Sequence, residues 1–176
     1  PEGGDPRPET VPPFEAGEGP RVAVLDCGCR YGYLRQLKAL SCRVRCFPPT
    51  ATWEDIESSG ADGLFVSNGP GSPEAMSAAR RTLEEAMGRL PVFGVALGAQ
   101  LLALAAGGSV MRMGLGHHGA NYPVRNGATG KAEITLQNHS WVIDASTPMR
   151  RGCAVSYRNL NDGTVEGIRS DRERFF

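Results

Sequence analysis

The segment from Pro91 to Leu102 restricts the fold of this chain more strongly than any other part of the sequence. Val92 to Val95 is an apolar run typical of a buried strand, and the Ala- and Leu-rich run from Leu97 to Ala106 indicates a helix. Almost no loop separates the two runs, and a glycine stands two residues before and two residues after Ala96. Small residues at this spacing predict a nucleophile elbow, a strained turn that projects one side chain at the start of a helix.

The apex of that predicted turn is Ala96, whose methyl group cannot attack a substrate. The free amides and the dipole at the N-terminus of the following helix would favour a thiolate or an oxyanion at this position. The sequence therefore predicts the backbone of a covalent catalyst without its reacting group.

Strand-like and helix-like runs alternate up to Gly108, and this alternation predicts an α/β fold. It favours an open, mainly parallel sheet with helices on both faces, because parallel strands need crossover connections that cover the sheet. The predicted strands are 21–26, 44–47, 63–67 and 92–95, with helices around 34–40, over 73–88 and over 97–106. Beyond Gly108, shorter runs predict a smaller antiparallel extension, with strands at 109–113, 132–136, 154–158 and 164–169.

Residues 1–20 have the composition of an N-terminal arm or linker, and the domain is predicted to span 21–176. The arm is rich in Pro, Gly and acidic residues and has little apolar surface to bury. A solvated linker is the first interpretation, and an arm that lies across a partner is the alternative.

Composition excludes several classes of partner. Nineteen basic and nineteen acidic residues cancel, so no global field favours nucleic acid or an anionic membrane. No apolar run is long enough to span a membrane, and no secretory signal opens the sequence. We expect an intracellular protein, cytoplasmic or mitochondrial, and its five cysteines are expected to be reduced and mostly buried thiols.

The candidate metal ligands form no set with a recognisable spacing. Cys27 and Cys29 are one residue apart, and no second pair completes a zinc site. His117 and His118 lie in a Gly-rich stretch, predicted as a loop, without a third ligand, so surface or partner-contact histidines are expected. The sequence therefore predicts no metal site and no cofactor.

The stretch from Asn68 to Gly71 follows one predicted strand and precedes a predicted helix. This places it at the carboxyl edge of the sheet, where folds of this type bind ligands. From these residues alone, a plain strand-to-helix turn and a ligand-binding loop are equally good interpretations.

The elbow segment and four others resemble, in the same order, the class I glutamine amidotransferases, and most closely the glutaminase domain of the carbamoyl-phosphate synthase small subunit. The resemblance covers residues 21–176 and implies a flavodoxin-like amidotransferase fold. The segments that carry it are Val24–Gly28, Ser67–Pro73, Val92–Leu104, Gln137–His139 and Asn161–Ile168.

The resemblance implies hydrolysis of glutamine to glutamate and ammonia by a cysteine, a histidine and a glutamate, with backbone amides that hold the oxyanion. It assigns the nucleophile position to Ala96, so no catalytic residue is predicted. It also implies a vestigial glutamine pocket made of six residues: Gly69, Gly71, Gln100, Asn138, Ser140 and Trp141.

In the family, the histidine and glutamate come from an H-P-E tripeptide that follows a strand beginning like Phe175-Phe176. The sequence stops at Phe176, so the domain is expected to lack that strand and tripeptide. His139 and Glu166 match other family positions. A structural role in a loop beside the pocket is expected for His139, and a turn or salt bridge for Glu166.

The leading hypothesis is a non-catalytic amidotransferase-like domain with a structural or regulatory role in a larger assembly. Its expected partners are other protein subunits, either a carbamoyl-phosphate synthase large-subunit-like chain or those of another complex. Departures from the family pattern at Ala99 and Ser140 support this hypothesis. One alternative is a glutaminase domain that supplies ammonia, seen here mutated or truncated. Another is a sensor that binds glutamine without hydrolysing it.

Overall fold

The computed structural model describes residues 13–15, 17–150 and 152–176. Most of the predicted N-terminal arm, residues 1–12 and residue 16, lies outside the described part. Within that part, Glu15 forms an ion pair with Lys38, with 2.7 Å between Oε1 and Nζ.

Four parallel strands form the predicted open sheet, in the order β2-β1-β3-β4. Their bounds are β1 Arg21–Leu25, β2 Arg43–Phe47, β3 Gly63–Val66 and β4 Val92–Gly94. Phe175 pairs with Val92 in parallel, and the amide of Gly94 donates to the carbonyl of Phe176 at 3.0 Å. The last two residues therefore extend the sheet beyond β4.

In the described part of the chain, four α-helices pack on this sheet, and they cover both of its faces as predicted. They are α1 Tyr31–Ala39, α2 Trp53–Ser58, α3 Ser77–Ala86 and α4 Leu97–Ala105. Helix α1 packs on Val24 and Phe65, whereas α2, α3 and α4 share a larger core with Leu25 and Val66. Because neighbouring residues of a strand point to opposite faces, these two cores lie on opposite sides of the sheet.

Two helix predictions need correction. The predicted helix over 73–88 is divided into a 3₁₀ turn, Pro73–Ala75, and α3, because Met76 has non-helical angles, φ −96° and ψ 55°. Helix α2 was not predicted, although a capping box at Thr52 marks its start.

The antiparallel extension is a closed barrel with the order β5-β6-β8-β7. Its strands are β5 Ser109–Asn126, β6 Ala132–Asp144, β7 Cys153–Asn159 and β8 Val165–Ser170. Strands β5 and β6 are far longer than predicted, since irregularities in register between Arg112 and His117 and between Gly119 and Tyr122 accommodate the Gly-rich stretch. The loops predicted around His117-His118 and at His139 are therefore wrong, because these residues lie in β5 and β6.

Two expectations from composition can be compared with the structure. Among the described residues, no helix combines the length and the apolar character needed to cross a membrane. All five cysteines are free, but only Cys27 is buried and the other four are partly exposed.

Candidate functional site

The predicted elbow is present between β4 and α4. Ala96 has φ 52° and ψ −109°, a conformation that is costly for any residue except glycine. A Cβ atom on Gly98 would lie 2.2 Å from the carbonyl oxygen of Val66, so only glycine lets α4 begin this close to β3. The exposed methyl group of Ala96 therefore stands at the N-terminus of a helix, as the sequence predicts.

A cavity of about 500 Å³ opens beside Ala96. The loop after β3, the start of α4 and the strands β5 and β6 supply its walls. All six residues predicted to form the glutamine pocket line it: Gly69, Gly71, Gln100, Asn138, Ser140 and Trp141. The fold thus brings them together around the elbow, while their role in binding glutamine stays a prediction.

The two amide side chains of this predicted pocket also hold neighbouring elements together. Gln100 is buried, and its Nε2 donates to the carbonyl oxygen of Trp141 at 2.7 Å, which ties α4 to β6. Asn138 Oδ1 lies 2.7 Å from His118 Nδ1, which links β6 to β5. Both side chains therefore have structural partners in the cavity wall.

A second cavity, of about 650 Å³, shares Gly69, Ala96, Asn138 and His139 with the first. It extends past Glu166 to residues of β5, β6 and β7. Arg112 in the first cavity and Arg30 in the second bring positive charge to these walls. Sequence reasoning missed both arginines, because no motif marks them.

Two histidines and a glutamate from three barrel strands meet at the edge of this second cavity. His117 Nδ1 lies 3.2 Å from Glu166 Oε1, and His139 Nε2 lies 3.2 Å from Glu166 Oε2. His117 is only 5% exposed, so the expectation of a surface histidine is wrong there, whereas His118 is exposed. The expected salt bridge of Glu166 is confirmed. We call these three residues the His–Glu cluster.

Burial and charge act in opposite directions on this cluster. Burial lowers the pKa of His139, but the Glu166 carboxylate, the carbonyl of Trp141 and the charge of Asp162 together raise it by more, and the net shift is upward. Burial raises the pKa of Glu166, but His139 and the hydrogen bonds from Asn159 and Thr164 together lower it by more, and the net shift is downward. Each residue therefore favours the charged form of the other.

A family of known proteins matches the sequence that forms this site. The family model described as glutamine amidotransferase class-I matches residues 23–176, which is most of the chain. The chain belongs to this family.

Two curated relatives of this amidotransferase domain are named carbamoyl phosphate synthase small chain. The protein from Clostridium acetobutylicum is 38% identical over 154 residues, which are 88% of this chain and 44% of the relative. The protein from Bacillus cereus is 40% identical over 164 residues, which are 93% of this chain and 45% of the relative. The chain thus spans less than half the length of each of these relatives.

Solved structures support the same fold for this amidotransferase domain. A protein from Thermoplasma acidophilum, named as one subunit of a GMP synthase, has a TM-score of 0.75. The match covers 91% of this chain and 82% of that chain at 18% sequence identity. Identity at this level shows the fold alone.

None of the described cysteines of this amidotransferase domain lines the cavities around Ala96. Burial and the charge of Asp26 raise the pKa of Cys27 to about 11, and the same two causes raise that of Cys29 to about 11. Reactive thiols have lowered pKa values, so these two cysteines have the opposite character.

Proposed function

We propose that this chain is a non-catalytic glutamine amidotransferase domain of the carbamoyl-phosphate synthase small-chain type, with a structural or regulatory role in a larger assembly. One observation carries the proposal: the strained elbow is intact, but the side chain at its apex is the methyl group of Ala96. A thioester with glutamine cannot form there, and the loss of rate is on the order of several powers of ten.

The cysteines and the two amide side chains support this proposal. No described cysteine lines the cavities at Ala96, and the raised pKa values of Cys27 and Cys29 oppose thiolate formation. Gln100 and Asn138 form hydrogen bonds that hold the cavity wall together. Their presence is therefore explained by these structural hydrogen bonds and does not require that the chain hydrolyses glutamine.

Other protein subunits are the proposed partners. The curated relatives are named as the small chain of a synthase, which is one part of an assembly of chains. A carbamoyl-phosphate synthase large-subunit-like chain is the first candidate, and subunits of another complex are the second. Co-purification of the tagged chain from its source, with identification of the bound polypeptides, tests which of them it is.

A working glutaminase domain is the alternative, and the retained elbow is the observation that favours it. The backbone at Ala96 still has the conformation that would present a nucleophile to the cavity. In this alternative, the chain would supply ammonia from glutamine once a thiol stood at the apex and the remaining groups were in place.

An ammonia-release assay separates the two functions. The chain and its Ala96→Cys variant are incubated with glutamine, with and without prior alkylation by iodoacetamide. We expect no ammonia above the uncatalysed rate from either protein. Thiol-sensitive release by the unmodified chain would overturn the proposal, and release by Ala96→Cys alone would show that only the nucleophile is missing.

Calorimetry tests whether the cavity still binds glutamine. We expect a flat titration for the unmodified chain. Heat that the Gln100→Ala variant abolishes would instead indicate a sensor that binds glutamine without hydrolysing it, because Gln100 lines the cavity beside Ala96.

A further inference from the structure

The His–Glu cluster has the donor set of a metal site, although sequence spacing alone gave no reason to expect one. His117, His139 and Glu166 each offer one ligand atom, and these atoms lie within 4.8 Å of one another. They come from β5, β6 and β8, so the closure of the barrel brings them together.

Hydrogen bonds on the outer side of each imidazole fix which nitrogen carries the proton. His117 Nε2 lies 2.8 Å from Asp162 Oδ2, and an ionised carboxylate can only accept. His139 Nδ1 lies 3.0 Å from the carbonyl oxygen of Trp141, which also can only accept. In the neutral rings, the lone pairs are therefore on His117 Nδ1 and His139 Nε2.

Both of these nitrogen atoms lie beside the same carboxylate, and Asn159 Nδ2 also lies 3.4 Å from His117 Nδ1. Each of the two nitrogen atoms lies 3.2 Å from one oxygen of Glu166. The contact at His139 is close but poorly aligned, and its buried Nε2 forms no hydrogen bond. Two nitrogen lone pairs and a carboxylate repel one another unless a positive charge, a proton or a metal ion, lies between them.

We propose that His117 Nδ1, His139 Nε2 and the Glu166 carboxylate bind one divalent transition-metal ion, with zinc as the preferred ion. Imidazole and carboxylate are ligands of zinc, with bonds of about 2.0–2.2 Å. Ligand atoms in such a tetrahedron are about 3.3 Å apart, which is close to the two 3.2 Å separations in the cluster. Three protein ligands leave a fourth position for water or an anion.

The surroundings of the cluster have the two further features that metal sites need. Asp162 holds His117 from behind, an arrangement that orients metal-binding histidines and strengthens them as ligands. Asn159 Nδ2 and Thr164 Oγ1 both donate to Glu166 Oε1, at 3.3 and 3.1 Å, and hold that carboxylate in place. His139 and Glu166 line the 650 Å³ cavity, which gives an ion a path from solvent.

Zinc titration of the chelator-treated chain, followed by calorimetry, tests the proposal without any glutaminase assay. We expect one ion per chain, and substitution with Co²⁺ should give the visible absorption of a four- or five-coordinate site. Asp162→Asn should weaken binding by about 10- to 100-fold, and His139→Ala and Glu166→Gln should weaken it further.

His118→Ala is the matched control, because it removes the neighbouring exposed histidine of β5 and leaves the cluster intact. Circular dichroism verifies that each variant is folded. If Glu166→Gln does not fold, the zinc affinity of Asp162→Asn becomes the test, because this variant keeps all three ligands. A flat zinc titration would overturn the proposal. Binding that His118→Ala abolishes and His139→Ala preserves would overturn it as well.

Discussion

Ala96 keeps the backbone of a nucleophile position although its side chain cannot react. Neighbouring hydrogen bonds hold it there: the amide of Val95 donates to the carbonyl of Val66 at 3.1 Å, and the amide of Gly98 donates to that of Val95 at 2.9 Å. A non-glycine residue in a sparsely populated conformation costs about 1–3 kcal/mol. The packing of α4 against β3 therefore imposes this strain.

Replacement of Ala96 by glycine should stabilise the protein. Relief of the strain outweighs the backbone entropy of glycine, about 0.5–1 kcal/mol, so we expect a gain of about 1 kcal/mol in the free energy of unfolding. The control is Ala99→Gly in α4, which should instead lose about 1 kcal/mol. Urea unfolding measures both variants, and losses of equal size in both would contradict the strained turn.

The elbow and the His–Glu cluster differ in how far they can be predicted from sequence. The elbow is a local pattern, because the two glycines that flank Ala96 and the runs on either side lie within a few residues. His117, His139 and Glu166 meet only because three strands close a barrel. The burial of His117 follows from strand registers that no local spacing shows.

At the scale of elements, α2 depends on its first turn. Thr52 Oγ1 accepts from the amide of Asp55 at 3.2 Å, and Asp55 Oδ2 accepts from the amide of Thr52 at 2.8 Å. Short helices have few hydrogen bonds of their own, so these end contacts matter for α2. Thr52→Ala should lower the free energy of unfolding by about 1 kcal/mol. Thr52→Ser should retain most of the stability, because it keeps the hydroxyl group. If urea unfolding shows the same loss of free energy for Thr52→Ala and Thr52→Ser, the capping role is refuted.

A polar contact joins the beginnings of β1 and β3. The amide and guanidinium of Arg21 donate to Asp62 at 2.8 to 3.2 Å, and these hydrogen bonds lower the pKa of Asp62 from 3.8 to about 2. At acidic pH the folded protein then binds fewer protons than the unfolded chain. The contact therefore contributes its full stabilisation of the folded state above about pH 4. It is lost as the pH falls through about 2.

An NMR titration of the Asp62 carboxyl group measures this shift directly. Arg21→Gln should return the pKa of Asp62 towards 3.8, since it removes the guanidinium hydrogen bonds. Arg169→Gln, which removes a different exposed arginine that contacts Asp171, should leave it unchanged. An Asp62 pKa that stays near 2 in Arg21→Gln would show that the backbone amide alone is responsible.

Element boundaries show where the sequence patterns fail. The parallel strands were predicted to within one residue at their ends, because buried apolar runs have clear limits. Strands β5 and β6 were predicted too short, since glycines and polar residues interrupt their pattern while the irregular register lets pairing continue. Helix α2 was missed because six residues are too few to show a helical period.

At the scale of the whole molecule, the parallel sheet and the barrel share one hydrophobic core. Leu25 and Leu101 from the α/β part belong to the same cluster as Ile143 and Ile168 from the barrel. Phe175 links the two parts, because it pairs with Val92 of β4 and Ser170 of β8 and is only 2% exposed. The larger core therefore extends from the sheet into the barrel, and only the smaller core under α1 belongs to the α/β part alone. We therefore expect the two parts to unfold together.

The two tryptophans test this cooperativity, since Trp53 lies in α2 and Trp141 lies in β6. Trp141→Phe leaves a fluorescent probe in the α/β part, and Trp53→Phe leaves one in the barrel. In each variant, the urea curve from fluorescence should coincide with that from circular dichroism, as a two-state transition requires.

Adding Phe175→Ala to each variant should lower the free energy of unfolding by about 3–5 kcal/mol at both probes. Different urea midpoints at the two tryptophans, or a lower free energy of unfolding at only one of them, would show that the barrel and the sheet are independent units. If the two parts share one core, removal of the Phe175 side chain must destabilise both.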